Sequence, residues 1–461
     1  MELKYIKQIY DPIHGYIKIS NIACQIIDTK EFQRLRYLHQ TGTCYFVFPS
    51  ATNSRFEHSI GTYHLCGLIL NSIKRNNTKK ELNEYIKNID KLEKYYKTKT
   101  DDNLLDEYII ELIKIAGLCH DLGHGPFSHV FDDVFIPTIK NQKGINETHE
   151  NEIHEIRSIN ILKIIIKKNP ELSKFIGEDE IEFIGDLIYP KKHNNGFLYQ
   201  IVSNNLNSID VDKYDYINRD VYNIGLKYNI QYDRLIEDIR VIDNIICYPE
   251  NSSLEIISIF QTRYRLHRQI YNHKAVIATQ FMINEIMLNL DSILNIYESI
   301  FDLEKFCLIN DTYIFSILEH LYINKKDYNE EKQKLIMTTY DIWNKINNRD
   351  IYKLITTIVS TDININIKKK IEDIIEQNIS KEDRKLIVLF ETKIGLIGGN
   401  KHPFKNIYFY KTKNLDKVII LNESQVGLIL PEKHKELLLM IFIKDKNRID
   451  LEDKLHNLIC K

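Results

Sequence analysis

The amino-acid sequence predicts a mainly α-helical protein with a small α+β lobe near its C-terminal end. An extended start is followed by a mostly helical body to about Leu290, and further helices are predicted over Asp327–Ile346 and Ile367–Ile379. After residue 386 the pattern changes to apolar and aromatic runs of strand length, separated by polar turns. These runs are Leu386–Phe390, Asn406–Tyr410, Lys417–Leu421 and Leu437–Phe442.

The same patterns predict three units along the chain. Residues 1–290 form the helical body, 291–385 a helical extension, and 386–461 the small α+β lobe. We expect the lobe to pack on the body and to aid oligomerisation.

Composition favours a soluble enzyme over a protein that binds a charged polymer. The 461 residues include 62 Lys and Arg against 64 Asp and Glu, a formal net charge of −2. A near-neutral chain has no overall electrostatic attraction to nucleic acid. The seven cysteines show no metal-binding or redox spacing, and neither a signal peptide nor a membrane-length apolar run is present. The sequence therefore predicts an intracellular protein, cytoplasmic or nuclear.

The stretch from His120 to His129 holds the densest set of chemically active side chains. His120 and Asp121 follow the apolar run Ile113–Cys119, so on a helix they would diverge by about 100° and grip one ion from two sides. His124 follows His120 at the i,i+4 spacing that places two imidazoles on one helical face. A lone histidine beside an apolar helix is usually structural, whereas three histidines and an aspartate within ten residues indicate a functional site.

Two other segments offer companions to this stretch. Upstream, Arg55 and His58 flank an aromatic residue at the predicted start of a helix, as a phosphate clamp and a further metal ligand would. Downstream, Asn207–Asp220 is dense in carboxylates and places Lys213 and Tyr216 close to Asp212. Each segment alone is equally well explained as a solvated helix face, and only the combination indicates a site.

At this point the sequence resembles the HD-domain phosphohydrolases, and among them the deoxynucleoside triphosphate triphosphohydrolases typified by the animal SAM-and-HD-domain protein. The resemblance is dense from Tyr10 to about Lys274 and resumes over Gln425–Lys433. It implies a helical HD-domain body. The matching motifs are Asp11–Gly15, Ile27–Thr29, Phe32–Tyr37, Val47–Pro49, Arg55–Gly61, Ala116–His129, Thr148–Glu150, Ile209–Tyr216 and Leu266–Arg268.

The resemblance implies a set of metal ligands and a set of catalytic residues. The implied ligands of one divalent transition metal are His58, His120, Asp121 and Asp212, a mixed nitrogen and oxygen set that suits Fe, Zn or Mn. The implied catalytic residues are His124, His129, Asp132, His149 and Glu150. Either His149 or His129 would donate a proton to the departing 5′ oxygen, with Asp132 and Glu150 orienting the imidazoles.

The implied reaction is hydrolysis of a deoxynucleoside triphosphate to deoxynucleoside and inorganic triphosphate, with Mg on the substrate phosphates. The implied phosphate clamps are Arg55, Lys213, Tyr216 and Arg263, and the implied sugar contacts are Gln40, Asp220 and Tyr271. The chain departs from its relatives at Thr41, where an apolar residue is expected, and this bears on discrimination against ribonucleotides.

Relatives in this family are often activated by nucleotides bound between subunits, so the resemblance also implies GTP as an activator of a homo-oligomer, a dimer or a tetramer. The matching positions are Lys7, Asp28, Gln33, Arg36, Arg234, His273 and Lys274. Tyr10 replaces an expected asparagine, and Cys247–Asn251 lacks the basic residues expected there. The sequence therefore predicts a weakened or altered second activator site.

Two other functions remain open from the sequence. The first is an HD phosphohydrolase acting on another nucleotide phosphate ester, against which the number of phosphate clamps argues. The second is a nucleic-acid-binding protein with a vestigial site, against which the complete ligand set and the balanced charge argue.

Overall fold

The computed structural model describes residues 3–99, 102–228, 230–396, 404–422, 425 and 433–459, and it confirms the mainly α-helical class. The helices are α1 (Asn21–Ile27), α2 (Lys30–Gln33), α3 (Arg55–Asn76), α4 (Lys79–Ile86), α5 (Glu93–Thr98), α6 (Glu107–Cys119), α7 (Ile136–Lys143), α8 (His154–Lys168), α9 (Pro170–Phe175), α10 (Glu178–Ile188), α11 (Val211–Ile224), α12 (Asp233–Glu237), α13 (Ser253–Leu266), α14 (Lys274–Leu294), α15 (Leu303–Phe306), α16 (Asp311–Ile323), α17 (Glu330–Asn347), α18 (Ile367–Asn378), α19 (Lys381–Arg384) and α20 (Ile449–Ile459). The strands are β1 (Tyr5–Asp11), β2 (Gly15–Ser20), β3 (Arg240–Ile242), β4 (Ile245–Pro249), β5 (Lys353–Ser360), β6 (Ile387–Gly395), β7 (Tyr408–Lys411), β8 (Asn414–Ile419) and β9 (Lys435–Ile443).

The body is built on a group of packed helices beside an N-terminal hairpin. Strands β1 and β2 pair antiparallel, and helix α3 packs against both α6 and α11. Helix α6 is apolar around most of its circumference, and its residues from Ile109 to Cys119 are all buried. A helix that is apolar on every side lies in the interior of a large core. The end of α6, where His120 follows, is therefore held deep inside the body.

The C-terminal lobe contains a three-stranded antiparallel sheet in the order β5, β9, β6. Strand β9 is its centre, and side chains alternate along it between two hydrophobic cores. Leu438, Met440 and Phe442 belong to the core of the body, whereas Leu439 and Ile441 belong to a second core under α18 and α20. Successive residues of a strand point to opposite faces, so one strand seals both cores.

The segment 291–385 is not wholly helical, which corrects the sequence-based expectation. It contains α16, α17 and α18, but it also contains β5, which pairs with β9. The physical reason is that β9 is apolar on both faces and needs a neighbour on each edge, and the β-branched run within Lys353–Ser360 supplies one. The lobe sheet thus takes a strand from each side of residue 386.

A second sheet joins the lobe to the body, in the order β3, β4, β7, β8. Strand β4 of the body runs parallel to β7, and Cys247 lies opposite Tyr408 in that pairing. The four predicted C-terminal strands all appear, as β6, β7, β8 and β9. Residues 426–432, within the fainter stretch of resemblance over Gln425–Lys433, lie outside the described residues. Among the described helices, none has the length and apolar character needed to cross a membrane.

Candidate metal centre and active site

The His120–Asp121 pair lies at the end of helix α6 rather than inside it. The helix ends at Cys119, His120 forms its C-cap, and the chain then continues in tighter i→i+3 turns from Cys119 to Leu122 and from Asp121 to His124. The expectation that His120 and His124 share a helical face is therefore wrong. Only glycine fits at position 123 in this turn, because a Cβ there would lie 2.0 Å from the carbonyl oxygen of His154.

A strained turn follows, in which Phe127 and Ser128 both adopt the left-handed conformation, with φ of 59° and 57°. Such conformations persist where the surroundings fix them. Asp311 Oδ1 accepts a hydrogen bond of 2.6 Å from the Phe127 N–H, and Ser128 Oγ donates one of 2.7 Å to the His39 carbonyl oxygen. Ser128 Oγ also accepts from Arg55 Nε at 2.8 Å. The turn that carries His129 is thus fixed from both sides.

Helices α3 and α11 bring their side chains to the same place. Helix α3 begins at Arg55 because the Glu57 carboxylate accepts a 2.7 Å hydrogen bond from the Ser54 N–H, which satisfies an otherwise unpaired donor. Helix α11 begins at Val211, after the Asp210 side chain accepts from the Lys213 N–H. These caps put His58 and Asp212 in the first turn or two of their helices.

The four predicted metal ligands converge on one small gap. His58 Nε2 lies 3.3 Å from His120 Nε2, 3.4 Å from Asp121 Oδ2 and 3.2 Å from Asp212 Oδ1. His120 Nε2 lies 3.4 Å from Asp121 Oδ1 and 3.6 Å from Asp212 Oδ1. Ligand atoms bound at about 2.0–2.2 Å to a common tetrahedral centre are separated by roughly 3.3–3.6 Å. The gap therefore has the size of a divalent transition-metal ion.

Hydrogen bonds on the far side of each imidazole direct the lone pairs into this gap. His58 Nδ1 donates to Asp215 Oδ2 at 2.7 Å, and His120 Nδ1 donates to the Gly117 carbonyl oxygen at 2.7 Å. A carbonyl oxygen only accepts, so Nδ1 of His120 carries the proton and Nε2 is free to ligate. The donor set thus fits a cation.

The electrostatics of the gap lead to the same conclusion. Burial opposes protonation of His58, but the carboxylates of Asp212 and Asp215 outweigh it and raise the pKa of His58 to about 10. Burial likewise acts to raise the pKa of Asp121, but Arg55 and the neighbouring imidazoles hold it well below its usual value. The buried carboxylates therefore favour a positive charge in the gap, and a metal cation would supply one in place of the proton on His58.

The structure does not bring His149 and Glu150 to this centre. Both are exposed, and the His149 ring packs on Phe301 with its Nδ1 accepting from the Asn151 N–H. A second His-Glu pair five residues later, His154–Glu155, lies at the start of α8 and lines the cavity instead. The sequence contains two similar His-Glu pairs, and the prediction of His149 and Glu150 rests on the first of them. The turn before α8 directs only the second pair toward the cavity.

His154 forms a compact cluster with His124. Their rings stack with centroids 3.9 Å apart, His124 Nδ1 lies 2.8 Å from Asp132 Oδ2, and His154 Nδ1 lies 3.3 Å from Glu155 Oε2. Burial and the adjacent His124 lower the pKa of His154 well below its usual value. Burial acts to raise the pKa of Asp132, but the paired Arg157 and His124 lower it overall. The neutral His154 ring therefore stacks on the His124 ring, whose Nδ1 faces the Asp132 carboxylate.

His129 is placed differently from this pair, at the open side of the cavity. Its side chain is 65% exposed, Nδ1 lies 3.1 Å from Asp133 Oδ2, and its ring centroid is 5.2 Å from that of His124. An oriented imidazole at the solvent side can exchange protons with water and with a bound molecule.

The metal gap opens on a cavity of about 920 Å³. Asp121, His120 and Asp212 line one end of it, while His58 is fully buried behind them. Strand β6 of the lobe forms another part of the wall, from Leu389 to Thr392. Every residue predicted to contact substrate lines this cavity, namely Gln40, Arg55, Lys213, Tyr216, Asp220, Arg263 and Tyr271.

The basic residues of the cavity have unused hydrogen-bonding capacity. Arg55 pairs with Asp121 through Nη1, but its buried Nη2 has no partner among the described residues. Arg263 Nη1 donates to the Gly395 carbonyl oxygen at 2.8 Å, while its Nε is likewise unpaired in the described structure. Lys213 Nζ lies 3.2 Å from both oxygens of Asp210. Unpaired buried donors of this kind favour an anionic ligand.

At another part of the cavity, Asp220 is held by two donors. Tyr271 OH donates to Asp220 Oδ2 at 2.6 Å, and Asn53 Nδ2 donates to Oδ1 at 2.8 Å. Gln40 is tied to the same group, because its N–H donates to the Asn53 carbonyl oxygen at 2.9 Å, and its buried Oε1 has no partner in the described structure. Burial raises the pKa of Asp220 to about 6, against the two hydrogen bonds that lower it.

This raised pKa predicts a pH-dependent cost of folding. Folded Asp220 binds its proton more tightly than in the unfolded chain, so its contribution to stability is lost as the pH rises from about 4 to about 6. In the metal-free protein, Asp220→Asn should therefore gain stability relative to wild type by about 2 kcal/mol between about pH 4.5 and pH 7.5. Urea unfolding at both pH values measures the difference; exposed Asp453→Asn is the control, and equal pH dependence of D220N and wild type would contradict the prediction.

The residues predicted to bind an activator fall into two groups. Lys7 Nζ lies 3.2 Å from Asp28 Oδ1, Gln33 Nε2 donates to the Ile27 carbonyl oxygen beside Asp28, and Arg36 Nε donates to Gln33 Oε1. The structure thus brings Lys7, Asp28, Gln33 and Arg36 together at the body surface. Among the described residues, no hydrogen bond or ion pair joins Arg234 to His273 or Lys274, and His273 instead caps α14 by accepting from the Ala275 N–H.

The HD-domain family matches residues 55–219, a range that holds all four candidate metal ligands and both imidazoles of the stacked pair. Fold and site together define the class of HD-domain phosphohydrolases, which bind a divalent metal ion.

Full-length similarity narrows the class. An HD domain-containing protein of Acanthamoeba polyphaga mimivirus is 38% identical over 450 residues, covering 95% of this chain and 92% of that protein. The deoxynucleoside triphosphate triphosphohydrolase SAMHD1 homolog of Dictyostelium discoideum is 33% identical, covering 97% and 79%. Homo sapiens SAMHD1, also a deoxynucleoside triphosphate triphosphohydrolase by name, is 31% identical, covering 97% and 72%. The chain belongs to the SAMHD1-like family of HD-domain triphosphohydrolases.

Proposed function

We propose that this protein hydrolyses deoxynucleoside triphosphates to deoxynucleosides and inorganic triphosphate, using one divalent metal ion. The observation that carries the proposal is a cation-sized gap with four ligand atoms, opening directly on a cavity with buried, unpaired guanidinium donors. The activity named for the Dictyostelium and human relatives supports the same substrate class.

His58, His120, Asp121 and Asp212 would hold the metal, and their mixed nitrogen and oxygen donors suit Fe, Zn or Mn. When bound, such an ion supplies Lewis acidity toward a phosphoryl oxygen and acidifies a water molecule. The chain's own contribution is to fix the ligands before binding, through the hydrogen bonds on Nδ1 of both histidines.

The triphosphate would be held by cationic side chains along the cavity. Arg55 lies beside the α-phosphate position because it contacts Asp121, and its unpaired Nη2 is available to a phosphate oxygen. Lys213, Tyr216 and Arg263 extend this contact toward the β- and γ-phosphates, where Mg would share the charge. Gln40, Asp220 and Tyr271 form the group suited to the sugar hydroxyl and to steric exclusion at the 2′ position.

Proton transfer would involve His129, with His124 and His154 beside it. His129 is accessible from the cavity, and Asp133 orients its ring, so we assign it the proton delivered to the departing 5′ oxygen. His124 would contact a phosphate oxygen, oriented by Asp132, with the neutral His154 ring stacked against it. His154 and Glu155 thereby replace His149 and Glu150 in the assignment.

We further propose that GTP binds the surface group Lys7, Asp28, Gln33 and Arg36 and activates a homo-oligomer. The Asp28 carboxylate offers acceptors to the guanine edge, and Arg36 stacks over Phe56 at 3.5 Å. Tyr10 and Tyr16 on the neighbouring hairpin are 68% and 67% exposed, as in surfaces that contact another subunit. Sedimentation velocity of the wild type and of Asp28→Asn, with and without GTP, tests this proposal. An oligomeric state and a hydrolysis rate that do not change with GTP would contradict it.

The proposed reaction is tested by incubating the metal-replete protein with each deoxynucleotide and ribonucleotide and resolving the products. We expect deoxynucleoside and intact triphosphate to appear together, and faster turnover of deoxynucleotides. Diphosphate, monophosphate or orthophosphate as the first phosphate product would contradict the cleavage position. A salt-sensitive complex with single-stranded nucleic acid and no turnover would instead support a vestigial site.

A further inference from the structure

A fully buried carboxylate, Asp215, lies directly behind the candidate metal ligands. It follows Asp212 by three residues on α11, so the two side chains lie on neighbouring parts of one helical face. Asp215 Oδ2 accepts hydrogen bonds from His58 Nδ1 at 2.7 Å and from Arg219 Nε at 2.8 Å. Its Oδ1 accepts from His14 Nε2 at 2.6 Å and from Arg219 Nη2 at 2.8 Å. Four donors therefore fix this carboxylate in position.

The surrounding charges keep Asp215 ionised. The Arg219 guanidinium donates to both oxygens of Asp215 at 2.8 Å, the two-point pairing that an ionised carboxylate makes with an arginine. An ionised carboxylate accepts hydrogen bonds and donates none. His58 Nδ1 is therefore the donor in this hydrogen bond, and Nε2 is the nitrogen that faces the gap and would ligate a metal ion.

The packing around Asp215 depends on a glycine. On helix α3, a Cβ at Gly61 would lie 1.8 Å from Asp215 Oδ1 and 2.7 Å from Arg219 Nη2. Contacts that short do not occur between real atoms, so any larger residue at position 61 must push the carboxylate or the guanidinium aside. The close approach of α3 and α11 at this point thus brings His58 within reach of Asp215.

The N-terminal hairpin completes the arrangement. His14 lies in the turn between β1 and β2, and its Nδ1 is 3.2 Å from Tyr232 OH. Asp11, at the end of β1, accepts from Arg219 Nη1 at 2.8 Å through Oδ2 and from the His14 N–H at 3.0 Å through Oδ1. The hairpin therefore holds two of the three residues that donate to Asp215, namely His14 and Arg219.

We propose that Asp215, held by His14 and Arg219, is a positioning residue that orients His58 for metal binding, so that the β1–β2 turn contributes to metal affinity. Groups that accept from the far nitrogen of a ligating histidine typically change metal affinity by about 10–100-fold when removed. The inference rests on the proposed metal centre, but it concerns affinity for the ion and does not depend on which nucleotide is hydrolysed.

The first test compares two glycines on the same helix. Gly61→Ala should displace Asp215, whereas a Cβ at Gly67 meets only Lys114 Cε at 3.5 Å and Cδ at 3.6 Å, an ordinary contact. With Mn²⁺ as the probe and a chelator as competitor, we expect G61A to bind about 10–100-fold more weakly and G67A to match wild type. Far-ultraviolet circular dichroism checks that both variants are folded. A folded G61A with wild-type affinity, or an equal loss in G67A, would overturn the inference.

The second test acts on the hairpin. Gln at position 14 can place an amide donor where His14 Nε2 lies, whereas Phe keeps a ring of similar size without a donor. We expect H14F to weaken Mn²⁺ binding and H14Q to recover most of it, and equal affinities for both variants and wild type would overturn the role of the turn. Wild-type protein that binds no divalent ion would contradict the metal centre itself, whereas tight wild-type binding with no effect of these variants contradicts only the positioning role.

Discussion

Asparagine at position 121 is expected to abolish metal retention and to lower nucleotide turnover at least about a thousandfold, the equivalent of about 4 kcal/mol of lost transition-state stabilisation. The variant removes a negative charge from the gap between His58 and His120, and it leaves the buried Arg55 guanidinium without its carboxylate partner. The loss of this one carboxylate raises the net positive charge where a cation must bind. Metal content by inductively coupled plasma mass spectrometry and product formation under saturating substrate measure the two effects.

The control for Asp121→Asn is Asp453→Asn, the same change at an exposed position on α20. This variant should retain metal and rate within about twofold, as expected for a surface substitution. A D121N protein that keeps a full complement of metal, or that turns over nucleotide at the wild-type rate, would remove Asp121 from the proposed mechanism.

Alanine at His154 is expected to lower kcat at least about a hundredfold, whereas alanine at His149 should leave it within about twofold. His154 lines the cavity and stacks on His124, so its loss frees the His124 ring from one side and opens space beside it. His149 packs on Phe301 away from the cavity. Steady-state kinetics of the two variants, with metal content measured in parallel, compare the two His-Glu pairs directly. A larger effect of H149A than of H154A would restore the assignment made from sequence.

The types of residue that form the site could be predicted from the sequence, but part of the geometry of the site could not. The fold class and the four C-terminal strands follow from periodicity, and they are confirmed. The resemblance to HD-domain phosphohydrolases implied His58, His120, Asp121 and Asp212 as metal ligands. The structure places them around one gap, and their role stays a prediction. Strand β5 could not be predicted, because its β-branched run lies between two helices in the sequence. Nothing in that run shows that it pairs with β9, which lies about 80 residues further along the chain.

His154 could have been found from the sequence. It begins a segment with apolar residues at helical spacing, from Ile161 to Ile166, whereas His149 follows the polar run after Lys140. A histidine at the start of an amphipathic helix is held in position better than one in a polar loop. Asp215 gave no comparable signal, because its partners His14 and His58 are distant along the chain and only the folded structure joins them.

Strand β9 determines the shape of the cavity, although none of its own side chains lines it. Strand β6 carries the wall from Leu389 to Thr392, and among the described strands it pairs with β9 alone. A shift of β9 by one residue would move its apolar side chains from one core to the other, so the packing of both cores would change together. The wall of the cavity is therefore supported by a strand that does not line the cavity, and a change of packing in either core can shift that wall.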